Sequence, residues 1–302
     1  MKKLSILFFT LFLISINSQE NIKYQKPSKE ILDLVEFERP PSILYDENKN
    51  FMLFLFRDNY KSIAELSVKE LRLGGLRIDP KTNIGSRVTY YNNVKIRNLK
   101  NQKSVITQVK GLPKNPKLSN ISWSPDQKRI ALTNTTETGV ELWVLELENG
   151  SVTKLTEPNL NSNIGSVINW FSDSENMLVK MISNNRRPLI DTNKIVPDGP
   201  TISTNFGEKA QNRTYQDLLK NKFDEHNFEQ LSTSTIYKVS IDGSVKKWMD
   251  DGMYRTISFS PNGEYVMISQ INKPFSYLVT YSRFPTETNI YNKDGDFVSN
   301  LQ

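Results

Sequence analysis

One short phrase recurs along the chain, and it constrains the fold more than any other feature. It joins an apolar strand, an aromatic or apolar residue, a Ser-Pro-Asp-like turn and a second apolar strand. Copies occupy residues 119–133 (SNISWSPDQKRIALT), 166–181 (SVINWFSDSENMLVKM) and 255–269 (RTISFSPNGEYVMIS), with a degenerate copy at 42–56 (SILYDENKNFMLFLF). Pro125 and Pro261 preset the backbone for a turn, and Asn262-Gly263 tolerates left-handed conformations. Each copy therefore predicts a β-hairpin.

Short apolar runs follow two of these turns without alternation. Ile130-Ala131-Leu132 is one such run, and residues 265–268 (YVMI) are another. Runs of this length are typical of strands that are buried on both faces.

A second hairpin is predicted after each copy, at residues 94–109, 140–156, 234–249 and 288–301. The turn at Asn149-Gly150 is among the strongest hairpin signals. Ser124 and Ser172 are 48 residues apart, close to the usual propeller repeat of about 40–45 residues. Four copies of a four-stranded unit predict an all-β fold, an incomplete β-propeller of about four blades. A β-sandwich with chance similarity between turns is the alternative, and it leaves the shared position of the phrase unexplained.

Two insertions interrupt the repeats, at about residues 58–91 and 184–233. In the first, residues 62–70 predict a short helix. In the second, residues 214–228 predict an amphipathic helix in the inserted loop, with Thr214 as its cap and Asp217 three residues on. Leu218, Leu219 and Phe223 would form part of its apolar stripe. We expect both insertions to project from one rim of the propeller.

The N-terminus predicts export. Lys2 and Lys3 precede an apolar run, residues 4–16 (LSILFFTLFLISI), and Ser18 is a small residue at which a signal peptidase could cut. The run fits a signal peptide better than a membrane span, although an uncleaved anchor is the alternative. The expected organisation is a signal peptide at 1–18, an extension at 19–41 and a partial propeller at 42–302. We expect a periplasmic or secreted protein without a stable membrane span after cleavage.

The amino-acid composition limits the kinds of functional site and partner that the protein can have. The chain has no cysteine, which excludes disulfides, thiolate catalysis and cysteine-ligated metals. The formal net charge is +6, but the lysines are scattered and form no block. We therefore expect no nucleic-acid partner, and a lysine-rich proteome accounts for the charge. A weaker interpretation is a mildly positive cavity that attracts acidic peptides.

No catalytic constellation is present in these 302 residues. A nucleophile elbow, Gly-x-Ser-x-Gly, does not occur, and His226 is the only histidine. We interpret His226 as a structural residue near a helix end, because catalytic histidines need matched partners. Asp294-Gly295-Asp296 is interpreted as a hairpin turn, since a calcium loop needs more carboxylates. No catalytic residue, metal site or cofactor is predicted.

Four arginines lie in or beside inserted and loop segments: Arg72, Arg77, Arg213 and Arg283. A guanidinium that faces a cavity can hold a carboxylate through two hydrogen bonds. They are the predicted substrate-binding residues, and ordinary exposed or structurally paired arginines are the alternative.

Several longer segments resemble a known family. They are residues 24–36 (YQKPSKEILDLVE), 70–83 (ELRLGGLRIDPKTN), 119–126 (SNISWSPD), 213–221 (RTYQDLLKN) and 273–285 (KPFSYLVTYSRFP). The chain from about residue 22 onward resembles the N-terminal propeller of the prolyl oligopeptidase family, and within it the glutamyl endopeptidase branch. The resemblance implies a serine peptidase whose propeller limits access to an α/β-hydrolase domain.

That hydrolase domain is absent from these residues, so no catalytic residue can be carried over and the chain alone is predicted to be inactive. Peptide substrates are expected only when the chain is joined to a hydrolase domain. Exposed strand edges of an open propeller favour self-association. The alternatives are a stand-alone propeller-type module that binds peptides or glycans, and an adaptor for a separately encoded hydrolase.

Overall fold

The computed structural model describes residues 25–101, 103–191, 194, 206–207 and 215–301. The predicted signal peptide at 1–18 lies outside the described residues. The chain divides into two compact units, Met1–Glu38 and Arg39–Gln302. In the first unit, the described residues form helix α1 (Lys29–Val35), which buries none of its side chains.

The second unit consists mainly of β-strands, as predicted. Its helices are α2 (Ile63–Leu66) and α3 (Lys222–Ser232), with a short 3-10 helix at Tyr281–Arg283. The strands are β1 (Ser42–Tyr45), β2 (Phe51–Phe56), β3 (Leu71–Leu73), β4 (Leu76–Asp79), β5 (Ile84–Gly85), β6 (Asn93–Asn98), β7 (Thr107–Gln108), β8 (Leu118–Trp123), β9 (Arg129–Thr135), β10 (Val140–Glu146), β11 (Ser151–Lys154), β12 (Ile168–Trp170), β13 (Asn176–Ile182), β14 (Ser234–Ser240), β15 (Val245–Gly252), β16 (Tyr254–Phe259), β17 (Tyr265–Ile271), β18 (Thr286–Asn292) and β19 (Phe297–Asn300).

Sixteen of these strands form four antiparallel sheets of four strands each. The first sheet has the order β1-β2-β6-β7, and the next three take β8 to β11, β12 to β15 and β16 to β19 in chain order. The four copies of the phrase are the hairpins β1–β2, β8–β9, β12–β13 and β16–β17. All predicted hairpins are therefore confirmed, whereas the number of propeller blades stays a prediction.

The turn inside each copy of the phrase has the same backbone geometry. Its fourth residue is left-handed, with φ between 54° and 73°, and its amide donates a hydrogen bond of 2.8–3.2 Å to the carbonyl three residues earlier. Glycine occupies this position only in the fourth sheet; the four residues are Lys49, Gln127, Ser174 and Gly263. A residue with a side chain pays a steric penalty in this conformation, so the surrounding contacts must hold it.

Those contacts come from the turn of the neighbouring sheet. Glu47 N donates to Gln127 Oε1 at 3.2 Å, and Asp126 N donates to Ser174 Oγ at 2.9 Å. Between the third and fourth sheets, Gly263 lies directly against Ser172. Each turn is thus in contact with the turn of the neighbouring sheet, and these contacts connect the four sheets in chain order.

The core lies between successive sheets. Ile130 and Leu132 on β9 pack toward the first sheet, while Ala131 between them packs toward the third. All three residues are at most 1% exposed. The predicted burial of this strand on both faces is confirmed.

The same prediction is wrong for β17. Val266 and Ile268 are buried against the third sheet, but Tyr265 and Met267 are 46% and 38% exposed. Among the described residues no further sheet covers this face, so the side chains alternate between core and solvent. Whether exposed sheet faces and edges pair with a second copy stays a prediction.

Lys180 is a lysine inside the core. It stands on β13 opposite Ile236, on the face that packs against the fourth sheet, and it is 1% exposed. Its Nζ donates to the carbonyl of Ile164 and lies 3.5 Å from the carbonyl of Tyr254. Burial without a carboxylate partner lowers the pKa of Lys180 to about 7.

The insertions fold differently from the sequence prediction. The helix expected at 62–70 is limited to α2, because the residues after it pair as β3 and β4. Ser62 and Glu65 form a capping box at its start.

The second helix begins at Lys222 and not at Thr214, which lies outside the described residues. Asp217 has a φ of 58°, which ends any helix there, and Asn221 supplies the cap by accepting from Asp224 N. Leu219 is buried, but it precedes the helix, and so does Leu218. The apolar face of α3 is formed by Phe228 and Leu231.

We predict that Gly263→Ala destabilises the protein through the turn contact. A methyl group there would overlap Ser172 Oγ and lie 2.9 Å from Ser172 Cβ, at a φ of 73°. The free energy of unfolding should fall by about 1–3 kcal/mol, measured by urea denaturation. Gly243→Ala is the matched control, because Gly243 has a φ of 87° but no atom within 4 Å. Equal losses in the two variants would contradict the contact between turns.

We also predict that Lys180 makes stability depend on alkaline pH. Between its folded pKa of about 7 and the ordinary value of 10.5, the unfolded chain holds a proton that the folded protein lacks. Stability should therefore rise as pH increases through this window, by on the order of 1 kcal/mol per pH unit. Urea midpoints at pH 7 and pH 9.5 measure the slope.

Lys180→Met should remove this contribution, and Lys246→Met, at an exposed position in the third sheet, is its control. The prediction fails if the wild type and Lys180→Met show the same slope.

Candidate functional site

Three distant segments that carry the family resemblance come together in one place. The sheet β3-β4-β5, the segment 215–232 and the loop 273–285 pack on one another, and we call them the insertion module. Gly75 N donates to the carbonyl of Asp217 at 2.8 Å, and Tyr281 N donates to that of Gly74 at 2.7 Å. A side chain at Gly75 would lie 2.6 Å from Thr280 Cγ2, and its φ is 87°, so glycine is required at this crossing.

Aromatic rings fill the interior of the module. Phe228 from α3 meets Phe275 and Phe284 with ring centroids 5.2 Å and 5.5 Å away, both edge to face. Phe275 and Phe284 stack at 5.4 Å. Polar contacts join the same elements at the surface. Tyr277 Oη donates to Glu225 Oε1 at 2.6 Å, and Lys273 Nζ lies 2.8 Å from a carboxylate oxygen of Glu229. The loop 273–285 is therefore held against α3 at several points.

Two of the predicted substrate-binding arginines share a pair of carboxylates. Arg77 Nε donates to Asp217 Oδ2 at 2.6 Å, and Arg72 Nε donates to Glu70 Oε1 at 2.8 Å. Longer ion pairs of 3.8 Å and 3.9 Å cross between them. The hydroxyl of Ser86, followed by Arg72, holds the pKa of Glu70 below its ordinary value. The group is a compact network of two arginines and two carboxylates.

The two arginines differ in what remains available to a ligand. The side chain of Arg77 is 18% exposed and that of Asp217 is 11% exposed, so this pair is largely enclosed. The side chain of Arg72 is 56% exposed. Arg77 therefore serves the structure of the module, and Arg72 presents the more accessible guanidinium.

Arg283 lies in the 3-10 helix and stacks over the ring of Tyr215 at 5.9 Å. Arg213 lies outside the described residues. The structure thus brings Arg72, Arg77 and Arg283 to one module. Their contact with a substrate stays a prediction.

Sequence reasoning missed the acidic partners of these arginines. Asp217 was considered only as a helix-cap residue, and it lies 140 positions from Arg77. No local pattern connects the two. His226, interpreted as structural, lies on α3 with its Nε2 3.0 Å from the carbonyl of Pro188.

Comparisons with known proteins agree with the resemblance. The chain is 30% identical over 290 residues to "Probable glutamyl endopeptidase, chloroplastic" from Oryza sativa subsp. japonica, covering 92% of this chain and 31% of that protein. A protein of the same name from Arabidopsis thaliana is 30% identical over 294 residues, covering 92% and 30%. The chain thus spans about a third of the length of these relatives. No family model matches it.

Solved structures of peptidases are also similar to the chain. Uncomplexed Pyrococcus horikoshii acylaminoacyl peptidase is 16% identical with a TM-score of 0.44, covering 89% of this chain and 33% of that one. Prolyl oligopeptidase B from Galerina marginata is 13% identical with a TM-score of 0.43, covering 87% and 27%. The resemblance to the glutamyl endopeptidases of the prolyl oligopeptidase family, predicted from the quoted segments, is confirmed by the two plant relatives.

No helix among the described residues is long and apolar enough to cross a membrane. This finding does not test the predicted periplasmic or secreted location, which stays a prediction.

We predict that Asp217→Asn loosens the insertion module. Asparagine tolerates the left-handed backbone at this position, so the change removes the charge but keeps the turn. An enclosed arginine without its carboxylate is costly, and the free energy of unfolding should fall by about 1–3 kcal/mol in urea denaturation.

Asp250→Asn is the control, because Asp250 pairs with Lys247 at a site where its side chain is 87% exposed. That variant should change stability by less than about 0.5 kcal/mol. A loss for Asp217→Asn no larger than this would contradict the structural role of the network.

Proposed function

We propose that this chain is the propeller part of an exported serine peptidase of the glutamyl endopeptidase type, and that it controls which peptides reach the catalytic residues. The observation that carries the proposal is the 30% identity to the plant glutamyl endopeptidases over 92% of the chain. The four antiparallel sheets of four strands support an assignment of four propeller blades. The apolar run after Lys2 and Lys3 supports export to the periplasm or the medium.

In this proposal catalysis belongs to a hydrolase domain outside these 302 residues. These 302 residues contain no Gly-x-Ser-x-Gly segment and a single histidine, His226, whose Nε2 contacts a backbone carbonyl. A triad needs a serine, a histidine and an acid in mutual contact. The chain would therefore contribute access and positioning, and the insertion module is the part built from the segments most specific to the resemblance.

A chimera tests this function. The matched third of the Oryza sativa protein is replaced by this chain, and cleavage is measured on a short glutamate-containing peptide and on a folded protein that contains the same peptide. We expect the chimera to cleave the short peptide and to leave the folded protein intact. A folded chimera that cleaves neither substrate, or both at similar rates, would contradict the proposal.

The isolated chain is the control for the chimera. It should cleave neither substrate, and it should take up no label from a serine-reactive fluorophosphonate. Labelling or cleavage by the purified chain would show that catalysis resides in these residues.

A further inference from the structure

A cleft lies beside the insertion module, next to the first sheet. It consists of two adjoining cavities of about 810 Å³ and 350 Å³ whose linings share five residues: Lys61, Glu65, Val68, Tyr90 and Lys117. Arg57 lines the larger cavity, and Ser86 lines the smaller one. We call this space the basic cleft.

Several cations of the cleft form no close ion pair in the described chain, although Lys117 and Lys61 attract the carboxylate of Glu65 at longer range. Within the part of the chain that the structure describes, Arg57 and Lys117 form no ion pair with any carboxylate, and neither does Arg39 at the rim. Among the described residues, Lys61 Nζ donates only to the carbonyl of Ser86, at 3.3 Å. The Nε of Arg57 is buried and has no hydrogen-bond acceptor. A buried donor of this kind costs about 1–3 kcal/mol until an acceptor reaches it.

The carboxylates of the larger cavity, in contrast, are already engaged. Asp58 Oδ1 accepts from Asn92 Nδ2 at 2.8 Å. Glu65 Oε2 accepts from the amide and the hydroxyl of Ser62 at 2.9 Å and 3.0 Å. In the larger cavity the groups left open to a ligand are therefore cations, which favours an anion there. The smaller cavity also carries Glu137 and Asp79, and Asp79 accepts from Lys81 N at 2.9 Å and from Thr82 Oγ1 at 2.7 Å. Carboxylates in the walls of both cavities oppose a polyanion such as a nucleic acid.

The lining also includes exposed apolar and aromatic side chains. Tyr60 and Val68 are 68% and 43% exposed in the larger cavity, and Lys117 Nζ lies 5.8 Å over the ring of Tyr90. Exposed apolar side chains beside unpaired cations match a peptide, which carries side chains around its carboxylate, better than an isolated anion.

We propose that the basic cleft binds a carboxylate of a peptide, with Arg57 as its anchor and Lys117 as a second contact. The carboxylate comes either from an acidic side chain or from the peptide C-terminus, and Arg57 can hold both kinds through two N–H donors. The choice of a peptide rests on the proposed function, whereas the choice of residues does not. The cleft is also connected to the arginine network, because Ser86 Oγ donates to Glu70 Oε2 at 2.7 Å.

The experiment uses the full chain and fluorescence anisotropy with three labelled peptides of one backbone sequence. The first has glutamate side chains and an amidated C-terminus, the second has glutamine side chains and a free C-terminus, and the third has glutamine side chains and an amidated C-terminus. We expect the first or second peptide to bind, which identifies the source of the carboxylate. The third should bind at least about tenfold more weakly.

Arg57→Gln should weaken binding of the carboxylate peptide about tenfold, and Lys117→Gln should weaken it by a smaller factor. Lys293→Gln is the matched control, since it removes one positive charge from an exposed pair with Glu264 in the fourth sheet. Urea midpoints show whether each variant is folded. Lys117 is exposed, so its variant carries the test if Arg57→Gln does not fold.

Equal binding of all three peptides would overturn the proposal, and so would unchanged affinity in the folded variants. Competition by inorganic phosphate at the concentration of the peptide would also overturn it, because the cleft would then be a general anion site. Peptide binding is measured without catalysis. Failure of the chimera therefore leaves this result standing, and failure of binding leaves the chimera's result standing.

Discussion

The structure depends on the packing of each four-stranded sheet against the next one. A strand such as β9 is buried along nearly its whole length, so its sheet must be covered on both sides. The hydrophobic effect brings the sheets together, but it is not directional. Orientation comes from the repeated turn, whose left-handed fourth residue meets the turn of the neighbouring sheet. Apolar burial and turn contacts therefore specify the same arrangement by different means.

Much of this arrangement could be predicted from the sequence, because its signals are local. Turn residues such as Asn149-Gly150 predicted the hairpins. The four copies of the phrase predicted the four sheets of four strands. The errors arose where distant contacts decided the local structure. Asp217 stands in a segment with helical character, yet its left-handed backbone and its contacts with Gly75 and Arg77 exclude a helix there.

The candidate sites could be predicted only in part. Arginine in an inserted segment suggested carboxylate binding, and the structure places three such arginines in one module. The contacts with Asp217 and Glu70 decide that Arg77 is enclosed and that Arg72 is accessible. The sequence alone does not reveal this difference. No sequence motif indicated the basic cleft. Arg57 and Lys117 lie 60 positions apart, and only the fold shows that their cavity leaves them without an ion pair in the described chain.

Lys180 gives the interface between the third and fourth sheets a distinct character. This interface encloses an amine that lies beside two backbone carbonyls in place of water. An amine of this kind is better hydrated in the open state than in the closed one. The interfaces between the four sheets are therefore not equally resistant to opening. We expect thermal opening to start between the third and fourth sheets, so that amide hydrogens near Ile164 and Tyr254 exchange with solvent ahead of those around Leu132.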